Sequence, residues 1–306
     1  MFDAPNQRVS RAADDSALTA ATPASEAIPA LVERAGGRIH ALARRMCGNL
    51  ADADDAVQEV FLQAYRKWHL FRGDADPATW LYAIAVRACK SRTRRKGGID
   101  RRMPALSQLM PWSETKVMEV AVAPDDTAHR SQRNEAVARV QAEIARLPEH
   151  LRMPIVLKEV LELSVEDTAT ALGLAENTVK TRLHRARLAL RKAMTARSPL
   201  VKAPMPIFEK QVCLDLLKAK LEAMDRGGVA HGFAVPQAEV CARCRAVFRE
   251  LDLVQDACAQ LGDGSMPSPL RRKILAALAA REDAERATEL KPRRGRKPVR
   301  RQTARA

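Results

Sequence analysis

The sequence predicts an all-α protein: two small helical domains joined by a linker, followed by a third helical section that carries most of the cysteines. Three observations lead there. Apolar residues recur at helical spacing in block after block, as Val179, Leu183, Ala186 and Leu190 do at i, i+4, i+7 and i+11. No segment reads as a strand. Proline-bearing stretches without periodicity, around 97–132 and in "SPLVKAPMPIF", separate the blocks. A chain of 306 residues has room for two or three small domains rather than one.

Composition narrows the partners. Lys and Arg number 52 against 37 Asp and Glu, a formal charge of +15 that suits a polyanion. No run of about eighteen apolar residues exists, so no membrane insertion is expected. Residues 1–27 lack the charged-then-apolar layout of a signal peptide and read as a disordered leader, which implies a cytoplasmic protein. Six cysteines, unevenly spread, suit a reducing compartment with free or metal-bound thiols. No general acid–base pair, phosphate loop or nucleophile triad is present, so the chain is not expected to be an enzyme.

The first helical block spans 28–97. "ADADDAVQEVFLQAYRKWHLF" begins with Asp52 and Asp55, acids that favour a helix N-terminus. Val57, Phe61, Ala64 and Trp68 make its inward stripe and leave Asp54, Asp55, Gln58, Glu59 and Gln63 outward, an acidic face on a basic protein. "FRGDADPATWLYAIAVRACKSRTRRK" then gives a turn and a helix with Pro77 at its first position, inward Leu81, Ile84, Ala85 and Ala88, and a basic end. Phe61, Tyr65, Trp68, Phe71, Trp80 and Tyr82 crowd this stretch. Rings beside cations suit unpaired bases; Phe61 and Trp68 fall on the inward stripe, whereas Trp80 and Tyr82 near the loop are the better stacking candidates.

After a linker at 98–132, residues 133–196 are helical again. "LSVEDTATALGLAENTVKTRL" reads as a short helix, a tight turn and a basic helix, that is, a helix-turn-helix. Ser164 with Asp167 starts the first helix as a capping box and Gly173 ends it. Ala175, at the next cap position, has no side-chain acceptor, which weakens that start by about 1 kcal/mol. The second helix carries Lys180, Arg182, Arg185, Arg187, Arg191 and Lys192, with no acid after Glu176. Such a unit turns the N-terminal half of that helix to the major groove. Glu176, Asn177, Thr178, Lys180, Thr181, Arg182, His184 and Arg185 would then reach base edges, and Arg187 to Lys192 phosphates.

Together, "DADDAVQEVFLQAYRKW", "FRGDADPATWLYAIAVRACKSRTRR" and "LPEHLRMPIVLKEVLELSVEDTATALGLAENTVKTRLHRARLAL" resemble the two domains of bacterial extracytoplasmic-function (ECF) sigma factors, in order and in spacing. The resemblance implies a subunit that binds core RNA polymerase and promoter DNA. It makes Asp54, Asp55, Gln58, Glu59 and Gln63 the docking face for the clamp helices of β′, with β as a further contact. Phe71, Trp80, Tyr82, Arg87, Lys90, Ser91, Arg94 and Arg95 become the minus-ten set, and the helix-turn-helix becomes the minus-thirty-five reader. Arg87 departs from the family, which often has Asn there; Arg prefers guanine acceptors where Asn suits adenine. An anti-sigma factor is a possible partner on the same resemblance.

Residues 207–262 contain Cys213, His231, Cys241, Cys244 and Cys258. The C-x2-C pair lets two thiolates reach one ion from a single turn, and Cys213 and Cys258 would complete a four-thiolate set with His231 as an alternative ligand. Buried thiols in a helical hairpin are the other reading. The section is similar to zinc-binding anti-sigma domains, although His231 lies farther from the C-x2-C than their histidine does. Thiol-rich sites suit zinc or copper(I). A short helix at 269–289 and a basic tail at 290–306 follow; Arg294-Gly295-Arg296 in the tail resembles a minor-groove core. Two other readings of the whole remain: a free-standing helix-turn-helix regulator, and a metal sensor with incidental DNA binding.

Overall fold

A computed structural model of the chain describes residues 18–95, 103–120, 127–227, 240–262 and 264–289. Helices α1 (Ala24–Cys47), α2 (Leu50–Lys67) and α3 (Pro77–Arg95) pack on one another, with a 3-10 turn at Trp68–Leu70 after α2. Their common interior holds Ile28, Leu31 and Leu42, Val57, Phe61 and Ala64, and Leu81 and Ile84. Helix α1 begins inside the expected leader, and Trp68 Nε1 donates to the Thr22 carbonyl at 2.6 Å. The cap of α2 is Asn49 rather than an aspartate: its Oδ1 accepts the Asp52 N–H at 2.8 Å, and its Nδ2 donates to Asp52 Oδ2 at 2.7 Å. One orphan backbone N–H of the first turn is thereby satisfied, and the second bond holds the cap in place.

The linker forms α4 (Leu106–Leu109), a 3-10 turn at Pro111–Ser113 and β1 (Lys116–Met118). Next come α5 (Thr127–Arg146) and α6 (Glu149–Ile155), which runs into a π-helical turn at Val156–Val160, then α7 (Val165–Leu172) and α8 (Glu176–Thr195). β2 (Leu200–Lys202) pairs antiparallel with β1, Val117 opposite Val201. The sequence showed no strand because three residues are too few to display an alternation.

Helices α9 (Lys210–Asp225), α10 (Ala242–Gln260) and α11 (Ser268–Glu289) complete the chain. α10 lies along α5 and α8, α11 covers α1 and α2, and α3 packs on α7. One apolar core therefore runs through both helical units, joined by Leu253, Val254 and Ala257 of α10 and Leu270, Ile274 and Leu278 of α11. A smaller core of Cys213, Leu217, Leu221, Val247, Phe248 and Leu251 holds α9 to α10. At about 1.5–3 kcal/mol for each fully buried large aliphatic or aromatic side chain, these contacts are what fix the third section to the first two.

Candidate nucleic-acid and metal sites

The helix-turn-helix forms as its capping chemistry dictates. Ser164 Oγ accepts the Asp167 N–H at 2.8 Å and its hydroxyl donates to Asp167 Oδ2 at 2.6 Å. Gly173 takes φ 65°, a left-handed conformation that closes α7 without strain. Ala175 caps α8 with no side-chain bond. Val179, Leu183, Ala186 and Leu190 are fully buried, which fixes the rotation of the helix.

That rotation splits the basic residues into two groups. Asn177, Thr178 and Thr181 are exposed, Arg182 and Arg185 half-buried, and all five line one open groove with His150 and Leu151. Lys180 sits beside this row, 3.4 Å from Glu176. Arg187 and Arg191 instead point inward, 1% and 0% exposed, so the expectation that they meet phosphates is corrected. Arg187 Nε donates to Glu159 Oε1 at 2.8 Å and Nη1 to Asp225 Oδ1 at 2.5 Å. His184 Nε2 lies 2.9 Å from Asp225 Oδ2, so His184 also faces the interior. Arg191 Nη1 donates to Glu114 Oε2 at 2.9 Å and Glu250 Oε2 at 2.7 Å. An unpaired buried guanidinium would be prohibitive, and these four carboxylates are why the two arginines can be inside.

The pairings are visible in the acidities. Burial opposes the charge of Arg187, but Glu159 and Asp225 outweigh it and raise its pKa. Burial likewise pushes Asp225 up, and His184 and Arg187 more than reverse it, so its carboxyl sits below the ordinary range. For Glu250 the balance goes the other way: burial raises its pKa beyond what Arg191 and the Met118 N–H restore.

In the first unit, Asp54, Asp55, Gln58, Glu59 and Gln63 share the outer face of α2. Asp54 Oδ1 lies 3.1 Å from His40 Nε2, and Gln63 Nε2 donates to Glu59 Oε1 at 2.7 Å. On α3, Arg87 and Ser91 are exposed and Lys90 half-buried, while Arg94 and Arg95 occupy its last turn. The aromatic candidates divide. Phe71 stacks on Trp68 with centroids 4.7 Å apart, and Trp80 meets both edge-on at 5.5 and 5.7 Å. Only Trp80 keeps part of its ring accessible; Phe71 is buried. Tyr82 is a core residue, 2% exposed, with the Arg38 guanidinium 5.8 Å from its ring centroid. Its hydroxyl has no hydrogen-bond partner among the described residues, and burial pushes its pKa up to about 12. Its place one residue after Leu81, within the apolar run Leu81–Val86, was the sequence signal against stacking.

Cys213 of α9, Cys241 at the cap of α10 and Cys244 in its first turn are all buried, with sulfurs within 4.8 Å of one another. Three thiols so placed fit a soft, thiophilic ion. Cys258 does not join them. It lies fourteen residues beyond Cys244 on the same helix, about 21 Å at 1.5 Å per residue, and is wholly enclosed in the larger core, where burial holds its thiol well above the ordinary range. His231 and the basic tail lie outside the described residues.

Residues 31–99 match sigma-70 region 2 and residues 138–190 match sigma-70 region 4. Among curated relatives, the ECF RNA polymerase sigma factor SigW of Bacillus subtilis is 34% identical over 51% of this chain and 83% of its own length. RNA polymerase sigma-H factor of Pseudomonas aeruginosa is 35% identical over 51% and 80%. ECF RNA polymerase sigma factor SigM of Mycobacterium tuberculosis is 34% identical over 59% and 84%. Among solved structures, CnrH in complex with the cytosolic domain of CnrY is 27% identical, covering 58% of this chain and 96% of that one, with a TM-score of 0.42. No helix among the described residues is long and apolar enough to cross a membrane. With regions 2 and 4 in sequence on the two helical units, and relatives about a third identical over most of their length, the chain belongs to the ECF family of RNA polymerase sigma factors.

Proposed function

We propose that this sigma factor docks on the β′ clamp helices of core RNA polymerase, with further contact to β, through Asp54, Asp55, Gln58, Glu59 and Gln63, and reads two promoter elements with separate units. Residues 28–97 would take the minus-ten element, with Trp80 stacking on a base and Arg87, Lys90, Ser91, Arg94 and Arg95 along the strand. Phe71 and Tyr82 would support that surface from beneath. Residues 133–196 would take the minus-thirty-five element, and 98–132 would connect the two. The chemistry belongs to the polymerase, in the cytoplasm. The observation that carries this reading is the open row Asn177, Thr178, Thr181, Arg182 and Arg185, which presents amide, hydroxyl and guanidinium groups along the half of α8 that a helix-turn-helix offers to DNA.

The third section, 207–262 with the helix at 269–289, is assigned a regulatory role. Cys213, Cys241 and Cys244 would hold zinc or copper(I), which supplies a cross-link between α9 and α10 when bound. A separate anti-sigma factor is a further candidate partner.

Run-off transcription with purified bacterial core polymerase, this protein and fragmented genomic DNA of its host tests the reading. Discrete starts sharing two upstream elements are expected. Sequence-specific DNA binding with no transcript under any metal condition would instead favour the free-standing regulator.

A further inference from the structure

The third section reaches both DNA-reading units at once. On α8, Asp225 of α9 holds His184 and Arg187, and Glu250 of α10 holds Arg191. On α1, glycines admit the connection between α10 and α11. A Cβ on Gly37 would sit 2.5 Å from the Gly264 carbonyl oxygen, and one on Gly36 would sit 2.5 Å from Met266 Cε. The same connection touches the other unit, because a Cβ on Gly262 would sit 2.2 Å from the Val160 carbonyl oxygen. Arg45 of α1 donates to the Leu261 carbonyl. α11 then lies over α1 and α2, with Arg271 on Glu33 at 2.8 Å and the Tyr65 hydroxyl donating to Glu285 at 3.2 Å.

The result is a closed arrangement. Thr79 of α3 donates to Asp167 of α7 at 3.0 Å, and Arg38 of α1 donates to the Leu161 carbonyl, so the two units touch directly. The proposed minus-ten and minus-thirty-five elements are separated by roughly 25 base pairs, about 85 Å of duplex at 3.4 Å per step. Two touching units of this size, each about 30 Å across, span about 60 Å at most and cannot occupy both.

We propose that α9, α10 and α11 form a cis-acting latch, which holds the two DNA-reading units closed through Asp225, Glu250 and the glycine seam of α1, and which must release before both promoter elements are engaged. The inference rests on the two-element reading above. The partner that fills these surfaces is the chain's own C-terminal section, matched to α8 by charge and to α1 by the absence of side chains at Gly36 and Gly37.

Two full-length variants test it. Gly37→Ala drives a methyl into the Gly264 backbone, which has no rotamer with which to yield, while alanine favours the α1 helix itself. Asp225→Asn removes one latch charge and leaves Arg187 its bond to Glu159. Amide hydrogen exchange in α3 and α7 reads the closed seam, and run-off with core polymerase reads the consequence. Both variants are expected to exchange faster at the seam, by about tenfold, with more transcript than the wild type. Seam exchange unchanged in both overturns the latch. Faster exchange with transcript equal to that of an active wild type overturns its control over transcription. Faster exchange in a protein that gives no transcript in any form supports the latch and refutes the two-element reading instead.

Discussion

Arg187→Ala separates an interior role for this residue from a phosphate-binding one. The guanidinium is 1% exposed and bonds two carboxylates whose side chains are 4% and 5% exposed, with a further bond to the Leu221 carbonyl at 3.3 Å. Removing one partner of a buried pair costs about 3–5 kcal/mol, because the remaining charge stays buried. Here Glu159 keeps Gln255 at 3.1 Å and Asp225 keeps His184 at 2.9 Å, which argues for the lower end, about 3 kcal/mol. At 1.36 kcal/mol per decade that is roughly 150-fold faster opening of α8. Hydrogen exchange of the amides from Leu183 to Thr195 should show it, with a lowered urea midpoint for the whole chain. Arg182→Ala, in the open groove, should leave both unchanged and weaken promoter binding by about 1–3 kcal/mol. The reasoning is refuted if Arg187→Ala keeps wild-type exchange and the salt slope of DNA binding falls by about 0.9, the mark of one lost phosphate contact.

Tyr82→Phe removes a buried hydroxyl without a partner among the described residues and should raise stability by about 1 kcal/mol in thermal melts, with run-off unchanged; a drop in promoter opening would show that the hydroxyl reaches DNA. Cys258→Ala should leave bound zinc or copper per chain as it is, whereas Cys244→Ser should lower it; loss from both would place Cys258 at the metal. Because Asp225 titrates below its ordinary value of 3.8, its stabilising contribution is complete above that value and is lost as pH falls through the depressed one. His184, Arg187, Glu159 and Lys158 surround it. Urea midpoints between pH 7 and 2 should therefore fall less steeply at the acid end in Asp225→Asn, and superimposable acid limbs would contradict the pairing.

What the sequence made legible follows how local the physics is. Ser164 with Asp167, Gly173 and the acceptor-free Ala175 are each settled within four residues, and all three stand in the structure as read. The apolar stripes of α2, α3 and α8 are legible for the same reason, since 3.6-residue periodicity decides which side faces inward. The acids Asp52 and Asp55 pointed to the start of α2, but its cap is Asn49, three residues ahead of Asp52, which uses Asp52 as its partner. Cys258 could have been set aside from sequence alone, since an unbroken helical pattern from Cys244 onward already puts the two sulfurs turns apart.

Arg187 and Arg191 mark where local reading stops. Both lie in the register of the inward stripe: Arg187 is four residues after Leu183 and three before Leu190, and Arg191 is three before Met194. A cation in that register must either turn aside or find a buried acid, and the basic run around it obscured the choice. Its acids are Glu114 from the linker, Glu159 from the π-helical turn, Asp225 from α9 and Glu250 from α10, none of them within a helix turn of it. Only the fold brings them together. Cations scattered over a solvated helix face bind whatever polyanion arrives, but a cation within an apolar stripe has its partner chosen by the chain itself. On α8 those partners come from the linker, the π-helical turn, α9 and α10, so the basic helix is at once the surface proposed to meet DNA and a point at which distant parts of the chain hold it.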